Sequence, residues 1–234
     1  MRTYTDESGQ GLVEYALILT TVALIALLAL STMGTSLQQV YCSAVSELGG
    51  SGCGCQFTFD DASALDSWEG GNRDSFSVEN GQACITGNGQ NAYSYLNSCA
   101  TDFGNDNVVI NVTAANIDQV VDNGKNTGLD VWFRAQDENN GYHFTYNTKN
   151  NFVRIWKRVD GAWIRLAHTN VPNSWDTQAN DFEIKVIGDT FQVFREGDLL
   201  LQATDDAYTQ GKVGLRNKPS SKTCIDGLSV GLLP

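Results

Sequence analysis

The phrase GLDVWFR, Gly128–Arg134, sets an acid, an indole and a guanidinium at every second residue. Successive side chains of a strand point to opposite faces, so Asp130, Trp132 and Arg134 are expected on one face and Leu129, Val131 and Phe133 on the other. The first set has the chemistry of sugar recognition, in which a flat ring stacks on C–H bonds and planar charged groups meet vicinal hydroxyls. Neighbouring segments add His143, Thr145, Arg154 and Trp156 to the same candidate face. A structural role competes with this reading: Trp132 and Trp156 would be core residues, and Asp130 and Arg134 a surface ion pair. Acyl-transfer chemistry has little to build on. His143 and His168 are the only histidines, and no G-x-S-x-G signature accompanies them.

The elements that must position these residues are short strands. From Phe57 onward the pattern has a period of two, which predicts strands at Phe57–Phe59, Phe76–Val78, Ala83–Thr86, Ala92–Leu96, Val108–Ala114, Gly128–Arg134 and Tyr142–Tyr146. It continues through Phe152–Arg158, Trp163–His168, Asp181–Ile187, Thr190–Glu196, Leu199–Thr204, Gly211–Arg216 and Ile225–Val230. Asn80-Gly81, Asp160-Gly161, Gly188-Asp189 and Gly197-Asp198 are turn pairs between them. So many strands with no long helix among them imply an antiparallel sandwich or jelly roll.

A net charge of −12 over 234 residues repels phosphate backbones, so nucleic acid is not an expected partner. Six cysteines, Cys42, Cys53, Cys55, Cys84, Cys99 and Cys224, follow an apolar segment. An even count in that context favours disulfides and an oxidising compartment over metal. Cys84 and Cys99 flank a predicted hairpin and are the expected pair. Cys42 is placed to meet Cys53 or Cys55, the remaining one reaching Cys224, and free buried cysteines are the alternative.

The order of phrases across residues 57–232 resembles the concanavalin A-like lectin/glucanase superfamily, with the laminin-G-like and keto-disaccharide-hydrolase-like jelly rolls as the nearest branches. The resemblance is carried by FTFDDASALDSWEGGNRDSFSVENGQACI, VWFRAQDENNGYHFTY, RIWKRVDGAW, FEIKVIGDTFQVFREGDLLLQATD and GKVGLRNKPSSKTCIDGLSV. It implies a jelly-roll fold and leaves the ligand open. Glucan-cleaving members set two glutamates around an aspartate on one strand, and this sequence has no such motif. Asp130 and Glu183 stand alone on their strands and Asp137-Glu138 falls in a turn, so no enzyme activity is expected. Several members carry a structural calcium near the first and last strands, and Asp60, Asp61 and Asp226 are the matching hard-oxygen candidates here. Turn capping is the plainer role for the same three aspartates.

The N-terminus reads differently. Gly9–Leu30 is GQGLVEYALILTTVALIALLAL, uncharged from Ala16 to Leu30, with Glu14 and Tyr15 five and six positions after Gly9. A carboxylate at the edge of an apolar run is costly unless it is paired. The arrangement resembles the processing and assembly signal of Flp-type (Tad) type IVb pilins, which implies cleavage by a prepilin peptidase between Gly9 and Gln10. It also implies an assembly role for Glu14 and Tyr15 in a filament of like subunits. Past Leu30, an apolar face continues through Leu37, Val40, Tyr41, Ala44, Val45 and Leu48, predicting one helix of about 58 Å over 10–48. A cleaved secretory signal, a plain single-span anchor and a buried core helix are the competing readings of this stretch.

The expected architecture is therefore a long N-terminal α-helix, transmembrane and then filament core, joined to an all-β antiparallel jelly-roll sandwich. Residues 1–9 form a leader, 10–48 the helix, 49–55 a Gly/Cys linker and 56–234 the sandwich. The expected function is a pilin-like subunit that starts in the cytoplasmic membrane and displays a glycan-binding domain on a pilus or cell surface. The alternatives are a tethered carbohydrate-binding protein that does not polymerise, and a tethered glycosidase-like enzyme. No cofactor is required beyond the calcium that the superfamily resemblance allows.

Overall fold

The computed structural model describes residues 55–66, 68–71, 73–87, 92–96, 107–119 and 128–233. The chain divides into units Met1–Tyr41 and Cys42–Pro234, and every described residue belongs to the second. In chain order the strands are β1 (Cys55–Thr58), β2 (Trp68–Glu69), β3 (Phe76–Glu79), β4 (Gln82–Thr86), β5 (Ala92–Leu96), β6 (Val108–Gln119), β7 (Gly128–Asp137) and β8 (Asn140–Asn147). They continue as β9 (Phe152–Val159), β10 (Ala162–Asn170), β11 (Asn180–Ile187), β12 (Thr190–Arg195), β13 (Asp198–Thr204), β14 (Lys212–Asn217), β15 (Ser221–Ile225) and β16 (Gly227–Leu232).

Asn80-Gly81 and Asp160-Gly161 take positive φ at both residues, the backbone of two-residue hairpin turns whose twist matches that of the strands. The expected Gly197-Asp198 turn is corrected to Glu196-Gly197, because Asp198 already opens β13, and at Gly188-Asp189 only Gly188 takes positive φ. Asn80-Gly81, Asp160-Gly161 and Glu196-Gly197 fold β3 on β4, β9 on β10 and β12 on β13. The strands then assemble into two antiparallel sheets. The front sheet runs β10-β9-β8-β7-β14-β5-β2, and the rear sheet runs β13-β12-β11-β6-β15-β4-β3. In the rear sheet the long β6 also pairs β16 through its first half, and β16 pairs β1.

Alternation sends one face of each sheet inward. Leu129, Val131 and Phe133 of β7, with Tyr142, Phe144 and Tyr146 of β8, meet Ile110, Val112, Phe182, Ile184 and Phe191 from the rear sheet. Aromatic rings bridge the two layers: Phe144 lies 5.0 Å from Phe182 and Tyr142 lies 4.5 Å from Phe191, centre to centre. Each of these buried aromatics removes on the order of 150–250 Å² from water, which makes this contact the main apolar contribution to holding the layers together.

Several expectations change. The pairing of a long helix with a sandwich is corrected to an antiparallel β sandwich. Among the described residues the helical segments are three 3-10 turns, at Ala62–Leu65, Arg73–Ser75 and Asn173–Thr177, and no helix is long and apolar enough to cross a membrane. Strands such as β11 and β15 alternate in burial by two rather than by three and four, while the central β7 and β8 are buried on both faces. The leader 1–9, the helix 10–48 and linker residues 49–54 lie outside the described residues, and with them Gly9, Gln10, Glu14 and Tyr15. Cys55 belongs not to a linker but to β1, opposite Val230.

The expected Cys84–Cys99 disulfide is also corrected. Cys84 stands directly across from Cys224 in the β4–β15 pair, and the two are bonded. The hairpin argument used sequence proximity, whereas the sheet brings together residues 140 positions apart. Cys55 is disulfide-bonded as well. Cys42, Cys53 and Cys99 lie outside the described residues. Closing so long a loop is expected to contribute about 2–5 kcal/mol. Peptide mapping without reduction is expected to recover Cys84 linked to Cys224, and Cys84→Ser/Cys224→Ser to lower the unfolding midpoint; a Cys84–Cys99 peptide would overturn the assignment.

Candidate functional site

The outward face of the front sheet is where the sequence placed its candidates. Cross-strand register sets Tyr93, Arg216, Asp130, Thr145, Arg154 and His168 in one row across β5, β14, β7, β8, β9 and β10. A second row holds Tyr95, Gly214, Trp132, His143, Trp156 and Arg165 on the same strands. Beyond them Arg158 of β9 faces Trp163 of β10.

Asp130 is at the centre, with no exposed surface. Its Oδ1 accepts from the Thr145 hydroxyl, and its Oδ2 accepts from Arg216 Nη1 at 2.7 Å and from Lys218 Nζ at 2.9 Å. Burial alone would push this carboxyl up. Lys218 and then Arg216 outweigh that penalty and hold it at about 2. With both oxygens engaged and the group ionised, Asp130 is neither a proton donor nor a free nucleophile.

Around it lies an aromatic group outside the main core. Trp132 stacks on Tyr93 at 5.5 Å, packs against Tyr95 at 5.0 Å and meets His143 edge-on at 4.6 Å. Gly214 makes room for this. A Cβ there would stand 2.6 Å from the Ser94 carbonyl and 2.9 Å from the Tyr95 ring. Trp163 lies over His143, ring centres 4.7 Å apart, and keeps 38% of its surface exposed. Burial, then the cations Arg216, Lys218 and Arg158, hold the His143 imidazole well below the usual histidine range, so it is neutral near pH 7. His143 Nδ1, Trp132 Nε1 and Tyr95 Oη are buried without a hydrogen-bond partner, three of the four such atoms among the described residues. Buried polar atoms are normally satisfied, so their concentration here marks this face as exceptional.

Of the expected residues, Asp130, Trp132, His143, Thr145, Arg154 and Trp156 do share this face. Arg134 does not. It sits at φ +47° where the β7–β8 register shifts, and this bulge turns it toward the Tyr208 and Gly188 carbonyls, to which it donates at 3.2 and 2.8 Å. Strict alternation fails there because a bulge adds one residue to a strand. The Asp130 ion pair is accordingly with Arg216 and Lys218, and it is buried rather than superficial. Sequence reasoning missed Trp163, Arg158, Arg216, Lys218, Tyr93 and Tyr95. Hairpin register would have found Trp163, because β10 follows β9 through the Asp160-Gly161 turn; Arg216 depends on the β7–β14 pairing, which is not sequential.

Each of the three calcium candidates has a protein partner. Asp60 accepts from the Thr58 hydroxyl, Asp61 caps the Ala62–Leu65 turn through Ser63 N, and Asp226 accepts from Gln82 Nε2. Among the described residues no three acidic, histidine or cysteine side chains gather as a metal ligand set.

The Asp130 arrangement predicts acid sensitivity. A carboxyl held near 2 in the fold, against an ordinary value of 3.8, contributes its stability above about pH 4 and loses it as pH falls toward 2, on the order of 2 kcal/mol in all. In Asp130→Asn that component of the pH dependence is expected to vanish. Two part-buried cations left unpaired should also cost about 3–5 kcal/mol at pH 7. Urea unfolding between pH 2 and 7 measures both effects, and a variant as stable as the parent at pH 7 would overturn the central role of Asp130.

No family model matches the sequence, and no curated protein matches it. Solved structures do. A carbohydrate-binding module, CBM66, from Bacillus subtilis is 17% identical over 69% of this chain and 94% of its own, with a TM-score of 0.55. A Bacillus subtilis protein of galectin-like fold is 13% identical over 78% and 96%, with a TM-score of 0.58. The VIP36 exoplasmic/lumenal domain, in a Ca²⁺/Man3GlcNAc-bound form, is 13% identical over 73% and 85%, with a TM-score of 0.55. Likeness at such identities carries the fold alone, and that fold is a lectin-type jelly-roll sandwich.

Proposed function

We propose that the sandwich is a carbohydrate-binding domain whose ligand lies on the outward face of the front sheet. The observation that carries this reading is Trp163. Its partly exposed indole packs on His143, and the charged atoms of Arg158, Arg216 and Lys218 stand over its ring, 4.8, 5.4 and 6.0 Å from the centre. A pyranose stacked on that ring would put its hydroxyls within reach of guanidinium donors, which form planar, directional hydrogen bonds. Trp156 stands 5.8 Å from Trp163 and would extend the stacking surface to a neighbouring sugar.

The lectin-type fold supports the same reading, since the VIP36 structure holds a mannose-containing glycan. The committed state of Asp130 argues against a hydrolytic role for the most central carboxylate. The bonded Cys84–Cys224 pair favours display in an oxidising compartment or outside the cell.

Trp163→Ala in the full-length chain is expected to weaken glycan binding about tenfold or more, in keeping with an exposed aromatic contact, while leaving the unfolding midpoint nearly unchanged. Calorimetry with a glycan identified on an array reads the first effect and thermal melting the second; unchanged affinity would remove the face from the reading. Separately, the pilin-type reading of Gly9–Tyr15 requires a mature chain that begins at Gln10. Mass spectrometry of the protein from its native host tests this, and a chain that retains residues 1–9 would end that reading.

A further inference from the structure

The front face is positive on an acidic chain. The net charge is −12, and several described cations elsewhere are held by acids: Lys157 by Asp205, Lys185 by Glu183 and Lys222 by Glu79. Lys212, over Tyr95 at the edge of the face, is held by Glu69. On the face the balance inverts. Arg216 and Lys218 share the single carboxylate of Asp130, which leaves one positive charge uncompensated. Arg154 donates to the imidazole Nδ1 of His168 at 3.0 Å and stacks on Phe152, neither of which is anionic. Arg158 donates to the backbone carbonyls of Glu138 and Gly161. Arg154, Arg158 and the exposed Arg165 form no ion pair among the described residues.

These cations repel one another. Burial, then Arg216, pushes the Arg158 guanidinium below its usual value, and burial, then Arg165, does the same to Arg154. Glu138, which accepts from the Tyr93 hydroxyl, and Asp130 offset this only in part for Arg158; like charges in excess of their counter-charge raise the energy of the unliganded face, and an anion placed among them relieves it. The buried, unpartnered Nδ1 of His143 lies directly beneath Trp163, so the face is also short of hydrogen-bond partners at its centre.

We propose that this face takes an anionic glycan, a sugar chain bearing carboxylate or sulfate groups, with one sugar stacked on Trp163 and its anion held among Arg158, Arg216 and Lys218. The inference rests on the carbohydrate-binding reading above and adds the ligand's charge. Guanidinium forks accept a carboxylate or a sulfate through two parallel hydrogen bonds, which a neutral hydroxyl pair matches less strongly. Arg154 and Arg165, farther along β9 and β10, would meet the next charged residue of the chain, so a polymer is favoured over a single sugar.

The test is binding of the full-length chain to immobilised glycans of both kinds. Polygalacturonate and alginate supply carboxylates, heparin and dextran sulfate supply sulfates, dextran and mannan are neutral, and poly(U) is a non-sugar polyanion. Binding to a carboxylated or sulfated glycan that weakens about tenfold between 50 and 300 mM NaCl is expected. Arg158→Gln and Arg165→Gln should each reduce it severalfold, with unfolding midpoints kept as a control. Arg165 is exposed, so its variant keeps the test open if Arg158→Gln misfolds. Preference for dextran or mannan, insensitive to salt, would overturn the anionic ligand and leave the carbohydrate reading standing. Binding to no glycan would overturn both, and poly(U) bound as tightly as any sugar would overturn the stacking of a pyranose.

Discussion

One buried carboxylate organises the front sheet. Asp130 is reached from two strands and a loop, by Thr145 of β8, Arg216 of β14 and Lys218 just beyond it, while its own backbone is in β7. Removing a carboxylate from water is expensive, and attraction to one cation seldom recovers the cost. Two cations and a hydroxyl do, and they hold the carboxyl below its ordinary value. The same geometry fixes where Arg216 and Lys218 stand. Without Asp130 both would be part-buried cations lacking their shared counter-charge, and the charge of the face would lose that anchor. The ion pair is thus chiefly a positioning device, and its contribution to net stability is secondary.

The bulge in β7 has the complementary task. Up to Phe133 the strand alternates strictly, and this puts Leu129, Val131 and Phe133 into the inter-sheet core while Asp130 and Trp132 face outward. At Arg134 the backbone turns through positive φ, and the neighbouring strands must come close to accommodate it. Gly141 of β8 and Gly211, at the start of β14, supply that closeness: a Cβ on either would stand 2.7 and 2.6 Å from the β7 backbone. Arg134 then spends its donors on carbonyls of the β11–β12 turn and the segment before β14. A guanidinium that the pattern assigns to ligand recognition is used instead to tie loops to the sheet.

This contrast explains what could be read from the residues alone. The two-residue period and the Asn-Gly and Asp-Gly turns identify the strands because both are local properties. They find thirteen of the longer elements nearly in place and miss the two-residue β2 and the break that divides the last stretch into β15 and β16. Half of the face was legible for the same reason, since Asp130 and Trp132 need only alternation. Pairings set by the sheet order were not. Arg216 lies 86 residues from Asp130, and Cys224 lies 140 from Cys84. A chain read in order has no signal for which strand will lie beside which. It favours the near cysteine and the near arginine, and in both cases the near choice was wrong.

An acidic surface keeps a protein soluble but gives no directed attraction for an anionic partner. A basic face on such a surface is costly in two respects: its cations repel each other, and the surrounding acids would neutralise them if side-chain rotation allowed. The structure prevents the second. Arg154 is pinned on Phe152 with its ring distance at 3.6 Å, Arg158 is bonded to two backbone carbonyls, and Arg216 and Lys218 are anchored on Asp130. Each restraint uses a neutral group or an already shared acid, so orientation is fixed while positive charge remains. Rigid cations around an exposed indole lose little conformational freedom on binding, which is the condition under which a few charge-assisted hydrogen bonds translate into affinity. On the proposed reading, preorganisation of this kind suits the face to recognition, and it follows from the same core packing that holds the two sheets together.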